Sequence, residues 1–236
     1  MSARTEIDHL VVMAATLAEG VQWCETTLGI TPGAGGQHAL MGTHNRLFRL
    51  DGDGSPGAYF EIIALDPQAP PPQRRRWFDM DDPALRASVA RDGPQLIHWV
   101  ARVPDIDAAV AALHAQGIDR GEVLAAQRPT PAGPLHWRIS VRADGQRLFD
   151  GCLPTLIEWG ACDTVPHPAL ALPASGVRLQ ALTLQHPQAE ALRAACDAVG
   201  LHDIALSRGA ARLSIHLATP LGPRTLSSMH APGDPS

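Results

Sequence analysis

The chain reads as an α+β protein built from paired βαβββ units, with a third, partial unit near its C-terminal end. Three observations predict this. The strand-like segment IDHLVV, a helix closed at Gly29 and the strand-like AYFEII recur as LIHWVA, a helix closed at Gly117 and TLIEWG. The spacing recurs as well: His9 to Gly29 is 20 positions, and His98 to Gly117 is 19. Each copy also carries a His near its start and a Glu near its end, His9 with Glu61 and His98 with Glu158, 52 and 60 positions apart.

The first unit is expected over residues 5–66. Residues 5–13 alternate only weakly, as a strand covered on both faces does. Thr16 and Glu19 form a capping box, and Leu17, Val21, Cys24 and Leu28 recur at helical spacing before Gly29 ends the turn. Strands are expected at 39–41, 45–50 and 58–65, separated by glycine-rich turns. Residues 67–93 break the pattern with clustered prolines, Arg74 to Arg76 and a short helix over 83–91, and read as a connector.

The second unit, 94–163, restarts with a strand at 95–103. Pro104 and Asp105 open a helix whose buried face is Ile106, Val110 and Leu113. Strands at 135–142, 146–149 and 154–159 complete it. The partial third unit, 175–228, has a strand at 179–185, an alanine-rich helix from Pro187 to Gly200, and strands at 204–207 and 212–219. Counting back 19 or 20 positions from Gly200 meets Ala181 and Gln180 rather than a His, so this unit reads as structural. Residues 229–236 read as a frayed tail.

Composition narrows the function. At 236 residues, 45% hydrophobic and 18% charged, the chain has enough material for a real core. Its net charge of -5 comes with no basic face, which argues against a nucleic-acid partner. The run Arg74 to Arg76 is compensated by Asp79, Asp81 and Asp82 and reads as a solvated linker. No long apolar run or signal-peptide core occurs, so neither a membrane partner nor secretion is expected, and a cytoplasmic location is. All 19 basic residues are Arg, which removes Schiff-base and P-loop lysine chemistry. Cys24, Cys152, Cys162 and Cys196 form no C-x-x-C pair and read as free structural thiols. Gly52, Gly54 and Gly57 match G-x-G-x-x-G, but with no helix following them they read as a hairpin turn.

The candidate site rests on His9, Glu61, His98 and Glu158. Strand alternation groups Ile7, His9 and Val11, and it turns Trp99 and Trp159 away from the side carrying His98 and Glu158. All four are then expected on concave sheet faces, converging on one point. Two neutral imidazoles and two carboxylates suit a divalent ion with no net charge left over. A single strand His is ordinarily a satisfied core residue; two in register, each with a matched Glu, favour the metal. His44 and Asn45, in GTHN, are placed near the cleft as substrate contacts, with local turn bonding as the competing reading. His38, His136 and Arg138 are weaker candidates of the same kind. His114, His167, His186, His202 and His230 read as surface or structural.

These segments, IDHLVV, GTHNRLFRL, YFEII and LPTLIEWG, resemble the glyoxalase-like domain family of the vicinal oxygen chelate superfamily. The resemblance implies paired βαβββ modules facing each other across a metal and substrate cleft. It places the metal-ligand roles of bacterial glyoxalase I, one His and one Glu per module, on His9, Glu61, His98 and Glu158. Extradiol dioxygenases of the superfamily would use His9, His98 and Glu158 alone. The implied activity is that of a metal-dependent lyase or isomerase on a small substrate that chelates Ni, Zn, Mn, Co or Fe through neighbouring oxygens. The ion would polarise a carbonyl and stabilise an enediolate, with Glu158 or Glu61 as the proton carrier. The rival is a metal-free protein that sequesters a small molecule between the sheets. A homodimer, where one forms, is expected outside the four-ligand cluster, because one chain carries both units.

Overall fold

A computed structural model describes residues 4–52, 57–160 and 165–228. The first unit is β1 (Glu6–Met13), α1 (Leu17–Leu28), β2 (Gly33–His38), β3 (Thr43–Arg49) and β4 (Tyr59–Leu65). Thr16 accepts a hydrogen bond from the Glu19 N–H, and Gly29 closes α1 in the left-handed conformation, φ 78°. The strand expected at 39–41 lies instead in the glycine-rich stretch just before it, and residues 39–41 form the hairpin turn. Glycine is needed at 35, where a Cβ would collide with the Asn45 backbone, while a Cβ on Gly36 would meet the flexible side chain of Arg128.

After α2 (Pro83–Asp92) the second unit follows as β5 (Gln95–Arg102), α3 (Ile106–His114), β6 (Glu122–Thr130), β7 (Gly133–Val141) and β8 (Thr155–Trp159). β6 was not expected, since its polar residues and Pro129 mask a strand that lies at a sheet edge. Residues 146–149 are not a strand and make only the isolated bridge Leu148–Leu153. A one-turn helix, α4 (Pro168–Ala171), precedes the third unit: β9 (Arg178–His186), α5 (Ala189–Ala198), β10 (Ala205–Arg208), β11 (Arg212–Thr219) and β12 (Gly222–Ser227). The third unit is thus a complete βαβββ, its last strand hidden from sequence reading by Gly222 and Pro223.

The first two units share one eight-stranded sheet, ordered β2-β3-β4-β1-β5-β8-β7-β6, with β1 and β5 antiparallel at its centre. The third unit makes a separate sheet, β10-β9-β11-β12. One core cluster joins Leu10, Phe60 and Trp99 to residues of α1 and α3 and to Leu184, Leu213 and Ile215 of the third unit. A second cluster, with Val11, Ile63, Val100, Ile139 and Ile157, covers the other face and includes Trp77, Phe78 and Met80 from the segment read as a connector. That segment is therefore packed structure. Its turn at Phe78 and Asp79 has φ of 60° and 58°, and Arg147 holds it by donating from Nε to Asp79 at 2.7 Å.

Two bulges interrupt the central pairing. Ile7 pairs with Ala101 and His9 with Val100, which leaves Asp8 as the extra residue; Val11 pairs with His98 and Val12 with Leu96, which leaves Ile97. A bulge lets two successive side chains point to the same side. Asp8 with His9 and Ile97 with His98 are the same device in the two copies.

Candidate functional site

A narrow cleft of about 30 Å³ opens on the face of the sheet opposite α1 and α3. His9, Tyr59 and Glu61 form its floor, with Asn45 and His38 beside them. Trp77, Phe78, Trp137 and Trp159 wall it, and Arg128 and Pro168 complete its rim.

The chemistry starts at the bulge. Asp8 is fully buried, and its Oδ1 accepts from His9 Nδ1 at 2.6 Å. Its Oδ2 accepts from Trp159 Nε1 at 2.8 Å and from His167 Nε2 at 3.0 Å. Burial works to raise the Asp8 pKa, but the hydrogen bonds from His167 and His9 outweigh it, and the group is held well below the usual carboxylate range. His9 also stacks on Tyr59, ring centroids 4.6 Å apart. With Nδ1 turned to Asp8, His9 presents Nε2 to Glu61, 3.6 Å from Oε2.

Glu61 is fixed from its other oxygen. Asn45 donates to Oε1 at 2.5 Å, and its own Oδ1 accepts from the Gly36 N–H at 2.8 Å, which sets the amide's orientation. The same amide nitrogen lies 3.3 Å from His38 Nε2, while His38 Nδ1 faces Thr43 Oγ1 at 3.0 Å. Burial, opposed by the Glu61 charge, pushes His38 down to about 4, so its ring is neutral at neutral pH.

The four expected ligands do not converge. His9 and Glu61 meet in the cleft. His98 is buried in a separate network: Nδ1 lies 3.2 Å from Gly151 O, and Nε2 lies 3.0 Å from Thr155 Oγ1 and accepts from the Thr155 N–H at 3.1 Å. Burial, with the charges of Arg120 and Arg147, holds His98 well below its ordinary value. Glu158 lies on the opposite face of the sheet. Its Oε2 accepts from the Ile106 N–H at the start of α3, 2.7 Å, and its Oε1 faces Arg138 Nη1 at 3.5 Å. Trp159, expected to point away from the cleft, walls it instead.

The strand ladders explain this. Val11 pairs with Glu61, and Val100, its counterpart two positions after the second His, pairs with Thr155. Thr155 therefore occupies the place of Glu61, and Glu158, three positions on, faces the other way because side chains alternate. The His9 side chain faces Glu61 as the His98 side chain faces Thr155.

His44 and Asn45 likewise separate. Asn45 lines the cleft, while His44 lies 3.9 Å from Asp66 outside it. His136 is exposed, and Arg138 is engaged by Asp107 and Glu158. Asp8, Trp77, Arg128 and His167 were missed as site residues. Only Asp8 carried a signal, as a charge set beside His9 in an apolar strand. Cys24, Cys152 and Cys196 are buried free thiols pushed up to about 12, 11 and 12 by burial, while Cys162 and Gly54 lie outside the described residues.

The donor set does not fit a four-ligand metal ion. The His98 nitrogens are taken up by Thr155 and Gly151, Glu158 caps a helix, and the Asn45 amide occupies the side of Glu61 nearest His38. Among the described residues no group of three or more His, Cys, Asp or Glu side chains is arranged to hold a metal ion.

The glyoxalase-like domain family matches residues 7–200. The chain belongs to the glyoxalase-like domain family. Its paired modules are the vicinal oxygen chelate fold, and the match ends with α5, before β10. A hypothetical protein from Staphylococcus aureus shares this fold at TM-score 0.54 and 12% identity, over 95% of this chain and 88% of that one. Similarity also extends to methylmalonyl-CoA epimerases. The Streptomyces coelicolor enzyme in complex with 2-nitronate-propionyl-CoA aligns at TM-score 0.41 and 19% identity, over 67% of this chain and 100% of that one. The Mycobacterium tuberculosis enzyme aligns at 0.39 and 18%, over 72% and 95%. No curated protein matches the chain. No helix among the described residues is long and apolar enough to cross a membrane.

Proposed function

We propose that this glyoxalase-like chain is a proton-transfer enzyme of the isomerase or lyase type, acting on a small substrate with neighbouring oxygens through Glu61 and His9. The observation that carries this reading is their arrangement. His9 Nε2 and Glu61 Oε2 stand 3.6 Å apart in one cleft, each side chain anchored from behind, by Asp8 and by Asn45.

A separation of this size is too long for a direct hydrogen bond, yet it lets two groups address adjacent atoms of one bound molecule. Glu61, as carboxylate, takes the proton from the carbon next to a carbonyl. His9, carrying a proton, gives it to the carbonyl oxygen, and the negative charge of Asp8 compensates the imidazolium before transfer. The product of this step is a neutral enediol, with protonated Glu61 and neutral His9. Returning the Glu61 proton to the neighbouring carbon while His9 recovers one from the hydroxyl completes an isomerisation with no oxidant. Positioned general acid–base groups of this kind contribute about 10²- to 10⁴-fold each. The walls of Trp77, Phe78, Trp137 and Trp159 exclude water from the reacting atoms.

The test is exchange of carbon-bound hydrogen for deuterium in D₂O, followed by NMR on hydroxyacetone, lactaldehyde and lactate. Exchange is expected to survive exhaustive chelation and to be lost in Glu61→Gln. Exchange abolished by chelation and restored by Ni, Zn, Mn, Co or Fe would establish the metal-dependent reading instead. Saturable binding with no exchange of any probe would establish the sequestering protein.

A further inference from the structure

We infer that the cleft carries an anion subsite, built by Arg128 and Trp77, that receives the carboxylate of the substrate. The inference rests on the cleft being the substrate site and names the substrate class: a small carboxylic acid with an oxygen on the adjacent carbon.

Arg128 comes from β6 and reaches the cleft rim across the opposite sheet edge, lying against Gly36 of β2. Four arginines of the second unit and its flank have acidic partners, and the buried Arg120 bonds to Pro154 and Thr155. Arg138 pairs with Asp107, Arg142 with Asp144, Arg147 with Asp79 and Arg76 with Asp81. Arg128, although half-buried in the cleft wall, makes no ion pair or hydrogen bond among the described residues. A guanidinium carries a planar fork of donors that matches a carboxylate, and leaving it unpaired next to apolar walls is unfavourable.

The second observation is independent. Trp77 is 5% exposed and walls the same cleft, yet its Nε1–H has no hydrogen-bond partner among the described residues. A buried donor without an acceptor costs about 1 to 3 kcal/mol, and native proteins rarely tolerate one without a function. The contrast is Trp159, also in the cleft wall, whose Nε1–H is satisfied by Asp8.

The cleft thus offers an acid–base pair at its floor and unmatched donors on its walls. A carboxylate supplies the acceptor that both lack, directly at Arg128 and, with a shift of the wall that uncovers the buried Nε1–H, at Trp77. Gly36 is part of the device: a Cβ there would run into the Arg128 guanidinium, so the guanidinium can lie where it does only beside glycine.

Binding is read by quenching of tryptophan fluorescence, since Trp77, Trp137 and Trp159 line the cleft. The ligand is lactate, with lactamide as the uncharged analogue and inorganic phosphate as the competing anion. Wild type and Glu61→Gln should both bind lactate, and lactamide should bind at least ~10-fold more weakly, as loss of a charge-assisted bidentate contact requires. Arg128→Gln should lose at least ~10-fold, while Arg46→Gln, at an exposed position on β3, should not change affinity. Gly36→Ala provides a second route, displacing the guanidinium with Arg128 still present; it meets mainly the far end of a flexible side chain, and should weaken lactate binding without lowering the melting temperature. Failure of wild type to bind lactate, equal binding of lactate and lactamide, or full affinity in both Arg128→Gln and Gly36→Ala overturns the subsite. Tighter binding of phosphate than of lactate overturns the carboxylate assignment. Lactate bound through Arg128 without deuterium exchange in wild type would defeat only the proton-transfer reading.

Discussion

The two modules of the large sheet share one pattern but surround their histidines differently. Each has a central strand with a one-residue bulge and a His immediately after it. In the first, the bulged residue is Asp8 and the side chain facing the His ring is Glu61, so His9 sits between two carboxylates at a cleft. In the second, the bulged residue is Ile97 and the side chain facing the ring is Thr155, so His98 is surrounded by neutral groups within reach of the Arg120 and Arg147 charges. The difference teaches that one shared backbone device can set a ring between carboxylates or within neutral packing, depending on the two residues that flank it. Burial is similar on both sides; the carboxylates distinguish them.

The sharpest way to break this comparison is to remove Glu61 and Glu158 in parallel. Glu61→Gln should lower deuterium exchange by about 10²- to 10⁴-fold, while Glu158→Gln should leave exchange within about 3-fold of wild type. Equal losses would return Glu158 to the mechanism.

Asp8→Asn should follow, with exchange reduced by about 10²-fold and lactate binding retained, because an amide does not anchor His9 with its proton on Nδ1 or compensate its charge. Exchange at the wild-type rate in this variant would separate the bulge from the chemistry.

His98→Ala should act on stability instead. It leaves the Thr155 N–H and the Gly151 carbonyl without their partner and opens a cavity, at a cost on the order of 3 kcal/mol in urea unfolding. His9→Ala, at the cleft, should cost less stability and nearly all exchange.

Acid should expose the buried imidazoles. His38 has a folded pKa of about 4 against an ordinary 6.5, so the unfolded chain binds more protons between those values. Stability that is fully present above about pH 6.5 is therefore lost as pH falls toward 4, by up to about 3 kcal/mol from this group. His98, held low for the same reason, adds to the loss in the same direction. Urea midpoints from pH 7 to 4 should fall, and His38→Asn should flatten the profile; an unchanged slope would show that His38 does not carry it.

The smallest effect belongs to the helix cap. Glu158→Ala frees the Ile106 N–H and removes a negative charge from the start of α3, for about 1 kcal/mol. A thermal melt of this variant, with exchange unaltered, would place Glu158 wholly in the architecture.

Much of this protein was legible in the chain itself. The duplicated strand-helix-strand pattern, the Thr16 and Glu19 capping box, the Gly29 stop and the helix after Pro83 depend on nearest neighbours, and local rules read them correctly. The resemblance likewise led to the family. The sequence did not disclose β6, whose polar edge-strand character resembles a loop, or β2, whose glycines suggest a turn until Asn45 and Arg128 are seen pressed against them. Nor did it reveal that Glu158 is out of phase with Glu61, because the recurring motifs align the two glutamates, while the ladders align Glu61 with Thr155. Strand pairing sets which residues lie opposite one another, and an odd offset of three turns a side chain to the other face. Residue types and their periods are local and written in the chain. Register, bulges and the meeting of β6, the segment before α2 and His167 around one cleft are long-range, and only the folded sheet decides them.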